Sequence, residues 1–296
     1  MINAHPGLPE FNYIRLTSAK ETSQFLSDHH GEALPFLGGT DIFVRMRDGI
    51  CKAKYLVDIK GLDGTDQISF DPIKGLTLGA AVNMNRVINS PVIQQHYQLL
   101  VESARTVASY QLRSRATIVG NLCNASPAGD TTGACIVLDG KLSIHSLGGI
   151  REQPLSTFFL GPGQTTLGVG DIVMALKFPL PPPKHAARYI KLGRNAAGDL
   201  AIVGVTVLGY PDQNAPSGYR FRIALASVAP TPLEPIEAEM ILTNKPINPA
   251  SISQAAHAAM EACSPIDDVR GSTRYRKMMV RNQTQKALSE VWEKIR

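Results

Sequence analysis

The sequence predicts an α+β fold in two parts, a mixed N-terminal domain over residues 1–180 and a smaller C-terminal domain over residues 186–296. Three observations carry that prediction. Two glycine-bearing turns, Leu37-Gly38-Gly39-Thr40-Asp41 and Thr117-Ile118-Val119-Gly120-Asn121, each follow an apolar stretch in the first half. A proline run, Pro179-Leu180-Pro181-Pro182-Pro183, favours extended backbone and blocks sheet pairing, which marks a linker. Beyond it the pattern changes to three strand-like runs joined by hairpin-like turns, then helices, which reads as a three-stranded antiparallel sheet packed with helices.

The elements follow in order. Ser18-Ala19-Lys20-Glu21 has the form of a capping box and opens a helix to about His30, stopped at Gly31. Leu34 to Leu37 is a short buried strand leading into the first glycine turn, and Ile42 to Asp48 is a short helix closed by Gly49. Tyr55 to Ile59 is a second strand. Ser90-Pro91 starts another helix, with Pro91 at its first position and Val92, Ile93, Leu99, Leu100 and Val107 on its apolar face. A loop of small and polar residues is expected from Gly120 to Gly133, and a strand from Ile172 to Phe178. After the linker, strands are expected at Ala187 to Leu192, Leu200 to Leu208 and Tyr219 to Val228. Helices are expected at about Pro235 to Leu242, Pro249 to Cys263 and Ser272 to Ile295.

Bulk properties narrow the function. The chain has 296 residues, 44% hydrophobic and 19% charged, which describes a globular protein with ample core. The formal charge is only +5. Arg274, Arg276, Lys277, Arg281 and Lys286 cluster on a C-terminal helix, broken by Met278, Met279 and Val280, and read as a solvated face rather than a nucleic-acid site. The N-terminus lacks a basic-then-apolar signal pattern. The longest apolar stretch, Leu200 to Tyr210, is too short to span a bilayer. The expectation is a cytoplasmic protein with no membrane insertion. Cys51, Cys123, Cys135 and Cys263 form no C-x-x-C pair, so no metal is expected on this chain. The adjacent His29 and His30 lie where a helix should end and complement its dipole.

Catalytic signatures are absent. No G-x-G-x-x-G follows a strand, and Gly161-Pro162-Gly163 cannot stand in because Pro162 lacks a backbone donor. There is no G-x-x-x-x-G-K-[ST], G-x-S-x-G or H-E-x-x-H. Each glycine turn alone reads as an ordinary turn. Together they suggest more: without a Cβ, successive N–H groups curl around an anion at low steric cost, and two such cradles can grip a diphosphate from both sides.

The two turns, the small-residue loop Ser126 to Asp130 and Phe158-Phe159-Leu160-Gly161-Pro162-Gly163 resemble the flavoprotein, or medium, subunits of the molybdenum-containing hydroxylases. That family includes the flavin domain of xanthine dehydrogenase, the medium subunit of carbon monoxide dehydrogenase and the beta subunit of 4-hydroxybenzoyl-CoA reductase. The resemblance covers nearly the whole chain; Asp267-Asp268-Val269-Arg270 and Tyr275-Arg276 continue it near the end. It implies a two-part FAD-binding domain of the PCMH (vanillyl-alcohol-oxidase) type and a C-terminal domain that closes over the flavin. By the same resemblance, Pro35, Phe36, Leu37, Gly38, Gly39, Thr40, Asp41 and Ile42 form the first diphosphate loop. Thr117, Ile118, Val119, Gly120 and Asn121 form the second, and Ala108 approaches the cofactor before it. Asp130 accepts hydrogen bonds from the cofactor, Val173 packs against its ring system, and Lys191 reaches it from the closing domain. No catalytic acid or base is implied.

The implied activity is electron transfer. Electrons from a molybdopterin centre on a large subunit pass through 2Fe-2S clusters on a small subunit to FAD here, in a hetero-oligomer that can be dimerised. Two departures from the family pattern stand out. Val119 occupies the place of the first of two glycines, and a β-branched residue resists positive φ. Leu200 stands where some relatives place an aromatic against the flavin. The extra cysteine-bearing loop of the benzoyl-CoA reductase type is absent, so no iron–sulfur cluster is expected on this chain. Two alternatives remain: a stand-alone FAD-dependent reductase or oxidase of the same fold, and a scaffold subunit without flavin. The substrate of the complex and the terminal electron acceptor are not encoded here.

Overall fold

Three short strands begin the N-terminal part: β1 (Asn12–Arg15), β2 (Ala33–Phe36) and β3 (Tyr55–Asp58) form a parallel sheet in the order β1-β3-β2. The computed structural model describes residues 7–195 and 198–296; residues 1–6 of the predicted first domain, with Ala196 and Ala197, lie outside the described residues. Parallel neighbours need a crossover. Helix α1 (Ala19–Asp28) connects β1 to β2 on the two sides of β3, and α2 (Ile42–Arg47) lies in the crossover between the neighbours β2 and β3. Ser18 caps α1, accepting from the Glu21 amide at 3.2 Å, but the Glu21 carboxylate takes the Thr17 hydroxyl at 2.8 Å. Only half of the expected capping box is made. The His29 ring stacks on Phe25 at 4.1 Å between centroids, so packing joins any dipole role in fixing it.

A second, antiparallel sheet has the order β4-β5-β10-β6-β7. Its strands are β4 (Ile68–Asp71), β5 (Gly75–Gly79), β6 (Lys141–Ser146), β7 (Gly149–Pro154) and β10 (Ile172–Phe178). Between β7 and β10 sits a small ribbon of β8 (Phe159–Gly161) and β9 (Gln164–Thr165). One face of the five-stranded sheet, with Leu76, Leu78, Leu142, Ile144, Leu176 and Phe178, is buried in a core shared with a helical layer. That layer comprises α3 (Met84–Asn89), α4 (Pro91–His96), α5 (Gln98–Arg105), α6 (Tyr110–Arg113), α7 (Ile118–Asn124) and α8 (Thr132–Val137).

Two expectations are corrected here. The single helix predicted from Ser90 breaks at Tyr97, where the chain bends so that the buried phenol donates to the Pro179 carbonyl at 3.0 Å. The loop predicted from Gly120 to Gly133 is helical at both ends: α7 runs to Asn124, Ala125 turns the chain at φ 47°, and α8 begins at Thr132. The Thr117 side chain decides the first of these by accepting from the Gly120 amide at 2.9 Å, an N-cap that small-residue composition conceals.

The C-terminal part carries the expected three-stranded antiparallel sheet, β11 (Ala186–Leu192), β12 (Val203–Pro211) and β13 (Tyr219–Ala226), in that order. Helices α9 (Ile236–Asn244), α10 (Pro249–Glu261) and α11 (Thr273–Ile295) complete it. Val203, Val205, Val207 and Ile223 face a core with Ala255, Ala259, Val280 and Leu288 of the helices. Tyr189, Leu208 and Ala224 point the other way, into the N-terminal core. Both faces of β12 are therefore covered, which is why it reads as a continuous apolar run instead of an alternating one. Gly133 of α8 sits so close that a Cβ there would lie 2.3 Å from the Thr206 hydroxyl.

The predicted solvated basic face on α11 needs one exception. Arg276 is 2% exposed and donates to the carbonyls of Ile202 (2.7 Å) and Ser227 (3.0 Å) and to the Asp268 carboxylate (2.7 Å). It ties the helix to two loops at the end of the sheet. No helix among the described residues is long and apolar enough to cross a membrane.

Candidate functional site

The first glycine turn joins β2 to α2, and its backbone leaves donors unused. The amides of Gly38, Gly39, Thr40 and Asp41 have no hydrogen-bond acceptor among the described residues. Four successive free N–H groups in a turn make a strong seat for an anion. The two glycines serve different ends. A Cβ on Gly38 would stand 2.2 Å from the Arg115 carbonyl oxygen, so glycine lets this turn close down on the segment before the second one. Gly39 adopts φ +75°, and a Cβ there would meet the Phe36 ring at 2.7 Å. Its lack of a side chain serves the backbone and the aromatic packing beneath.

The second turn is the start of α7. Gly120 and Asn121 use their amides within the cap, on the Thr117 hydroxyl and carbonyl at 2.9 and 3.0 Å. The Ile118 amide faces back into the bridge between Asn83 and Thr117, and the free amide is that of Val119, which has no acceptor among the described residues. Val119 needs no positive φ because its backbone is helical, so the β-branched residue is compatible with this turn, contrary to the sequence expectation. Gly120 contributes space: a Cβ there would find only the Thr117 hydroxyl at 3.0 Å and Leu37 Cδ1, across the gap, at 3.9 Å. Asn121 Oδ1 accepts from the Thr131 hydroxyl at 2.8 Å, leaving its NH2 group to donate.

Both turns line one cleft of about 510 Å³, within the usual range for a ligand site. Of the residues singled out from the sequence, Pro35 to Ile42, Ala108, Thr117, Val119, Gly120, Asn121, Asp130 and Val173 all border it. Ala108 is held at φ 42° by Arg113, whose Nη1 donates to the Val107 carbonyl at 2.7 Å and the Ala108 carbonyl at 3.3 Å. Val173 comes from β10 and is almost fully buried.

Two residues stand apart. The Ile118 side chain lies in the hydrophobic core, leaving only its backbone near the turn. Lys191 is not among the residues bordering the cleft; it lies behind Asp130, with Nζ 2.7 Å from Oδ2 and 3.0 Å from the Thr106 carbonyl. The other Asp130 oxygen, Oδ1, accepts from the buried Tyr189 hydroxyl at 2.7 Å. Burial pushes the Asp130 carboxyl above its ordinary range, against the downward pull of the Lys191 charge and of both hydrogen bonds. Burial and the Asp130 charge also push the Tyr189 phenol well up, so it stays protonated and donates.

The cleft also includes residues that sequence reasoning passed over: Arg45, Cys51, Cys123, Asn124, Asp171 and Asp199. Arg45 lies four residues beyond Asp41 on α2, a helical spacing that could have found it. Asp171 is clamped by Arg151 at 2.6 Å and by the Gly168 amide at 2.7 Å. The Asp199 carboxyl is held below its usual range, chiefly by the Arg194 amide at 2.7 Å. Leu200, the other departure noted in the sequence, is exposed and sits at the same cleft. Charge within the lining is thus mostly acidic, and the anion seat rests on amides rather than cations. No metal-binding cluster of His, Cys, Asp or Glu occurs among the described residues.

Comparison with known proteins agrees with this architecture. Residues 9–181 match a family model described as the FAD-binding domain in molybdopterin dehydrogenase. Residues 188–291 match the C-terminal domain of the carbon monoxide dehydrogenase flavoprotein. The chain is 28% identical to a xanthine dehydrogenase FAD-binding subunit of Escherichia coli O157:H7, covering 94% of this chain and 95% of the relative. It is also 28% identical to the carbon monoxide dehydrogenase medium chain of Hydrogenophaga pseudoflava, over 96% and 98% of the two chains. A solved structure of that organism's carbon monoxide dehydrogenase, lacking the Mo-pyranopterin moiety, superposes with a TM-score of 0.92 over 97% of this chain and 99% of that one.

Proposed function

The chain belongs to the FAD-binding subunits of the molybdopterin dehydrogenases, and from that premise we propose where its cofactor lies and which partners it meets. It is an FAD-carrying electron-transfer subunit of a molybdenum-dependent oxidoreductase. The cleft between the two turns is the FAD site. The observation that carries this reading is the run of four unpaired amides from Gly38 to Asp41, brought against the start of α7 by the Gly38–Arg115 approach.

The residues present fit the group. A diphosphate carries its charge on oxygens that accept from several N–H groups at once, and the amides of Gly38 to Asp41 and of Val119 offer such donors. Gly120 keeps the space between the turns open, and the Asn121 NH2 group adds a side-chain donor. Asp130 presents a carboxylate for cofactor hydroxyl or amine groups, and Val173 and Ala108 supply apolar wall. Lys191 acts on the site through Asp130.

When bound, FAD accepts electrons singly and releases them as a pair, which suits a junction between one-electron centres and a final acceptor. The chain's own work is to bind, orient and shield that group. Its partners are a small subunit carrying 2Fe-2S clusters and a large molybdopterin subunit, in a hetero-oligomer able to dimerise, in the cytoplasm. The relatives named as a medium chain and a FAD-binding subunit support a multi-subunit assembly. We divide the chain at the proline linker, 1–180 for FAD and 186–296 for the closing domain, and the family matches over 9–181 and 188–291 support that reading.

The test is spectroscopic. The purified chain should be yellow, release FAD on denaturation and rebind it, and Gly120→Leu should lose that capacity while staying folded. A folded, colourless chain that binds no FAD would overturn the reading. Co-purification with an iron–sulfur chain and a molybdopterin chain tests the partners.

A further inference from the structure

Asp130 is a carboxylate of the cleft held from the C-terminal sheet. It sits between α7 and α8, yet both of its oxygens are occupied by donors from β11: Tyr189 Oη on Oδ1 and Lys191 Nζ on Oδ2, each at 2.7 Å. Tyr189 is 4% exposed and the Lys191 side chain 11%, so neither donor is satisfied by solvent. Residues two apart on a strand point to the same face. That face of β11 lies against the N-terminal core and delivers both groups to one carboxylate. The Lys191 ammonium has a second anchor, the Thr106 carbonyl at 3.0 Å, two residues before Ala108 in the cleft wall. The Tyr189 hydroxyl also explains the close packing of β12: a Cβ on Gly204 would come within 3.1 Å of it.

A carboxylate with one strong donor on each oxygen cannot rotate freely, and its remaining lone pairs are fixed in direction. We propose that Tyr189 and Lys191 are positioning residues for the cofactor: from the C-terminal sheet they fix Asp130 for recognition in the N-terminal cleft, so that occupation of the cleft is coupled to docking of that sheet. The proposal rests on the reading that the cleft holds FAD and extends it to two residues that do not line it. Lys191 thereby acts through Asp130 and not by reaching the cofactor itself. Among the described residues, Lys191 and Tyr189 are the charged and titratable groups that act on Asp130.

The experiment is a double-mutant cycle on the full chain, deflavinated and titrated with FAD. Asp130→Asn, Tyr189→Phe and Lys191→Gln should each weaken FAD binding about tenfold or more, the size expected for a hydrogen bond to a charged group. Tyr189→Phe or Lys191→Gln added to Asp130→Asn should weaken it little further. The FAD affinity of Tyr189→Phe should also begin to fall at a higher pH than that of the wild type, because the ionised carboxylate has lost a donor. Thermal melting of each flavin-free variant shows that it is folded, and Lys191→Gln provides an independent arm should Tyr189→Phe not fold. Equal losses in the wild-type and Asp130→Asn backgrounds would overturn the proposal, as would unchanged affinity in both β11 variants while Asp130→Asn is impaired. In either case the cleft reading survives. Wild-type affinity in Asp130→Asn together with Gly120→Leu would overturn both.

Discussion

Gly38 lies against the Arg115 carbonyl so closely that a β-carbon would stand 2.2 Å from the oxygen and 2.8 Å from the carbonyl carbon. Both atoms are backbone, so neither can swing aside. Gly38→Ala should therefore separate the two turns and reduce the flavin-to-protein ratio at least tenfold, with a loss of about 1–3 kcal/mol in stability from overpacking. Gly39→Ala strains a φ of +75° and meets the Phe36 ring at 2.7 Å, a neighbour on the inner side of the turn. It should destabilise by a similar amount but retain more FAD. Flavin absorbance per protein and urea unfolding separate the two effects.

Asp268 is gripped by Arg270 at 2.6 Å and Arg276 at 2.7 Å, and these bonds, Arg270's first, hold its carboxyl far below the usual carboxylate range. A depressed folded-state pKa gives stability that is present above the unfolded value and lost as pH falls toward the folded one. The C-terminal sheet and helices should therefore weaken below about pH 4. Asp268→Asn should flatten that acid limb. Arg276→Met should destabilise at all pH values, because it strands the buried carbonyls of Ile202 and Ser227. Thermal melts from pH 3 to 7 provide the measurement.

Glu239 on α9 accepts from the Ile223 amide of the edge strand β13 at 2.7 Å, and burial pushes its carboxyl up to about 7. Here the sign reverses. The folded chain holds this proton longer than the unfolded one, so stability falls as pH rises from the unfolded value to about 7 and is level above it. Glu239→Gln keeps an acceptor for the Ile223 amide without the buried charge. It should stabilise the chain by about 1–3 kcal/mol at pH 8 and leave it unchanged near pH 4. Unfolding curves at the two pH values decide the matter.

Burial pushes the thiol of Cys263 up to about 12 and that of Cys135 higher still, so alkylating reagents should spare both in the folded chain. Cys51 is partly exposed and borders the cleft. It should label at pH 8, and saturation with FAD should slow that labelling severalfold. Peptide mapping after iodoacetamide treatment reads both results. Equal labelling with and without FAD would place the cofactor away from Cys51.

Much of the fold was legible because its causes are local. Pro91 at a helix start, Ser18 as a cap and the proline run before β11 each constrain the backbone within a few residues. The strand from Ile172 to Phe178 was expected and found at the same limits. β1, β4 and β7 were not anticipated, since short strands with exposed positions carry little periodic signal. Thr117 hid the start of α7 within a stretch whose small residues looked like loop.

What the sequence determined by itself was the pair of glycine turns, the linker and the order of strands and helices in the C-terminal part, because torsion preferences and apolar spacing act along the chain. Only the tertiary structure decided that Gly38 meets Arg115, that Lys191 stands behind Asp130 and that Arg276 is buried on a helix whose basic face looked solvated. Each of these joins residues far apart in sequence. How deep a side chain lies depends on what packs over it, and that is fixed when separate layers close on one another.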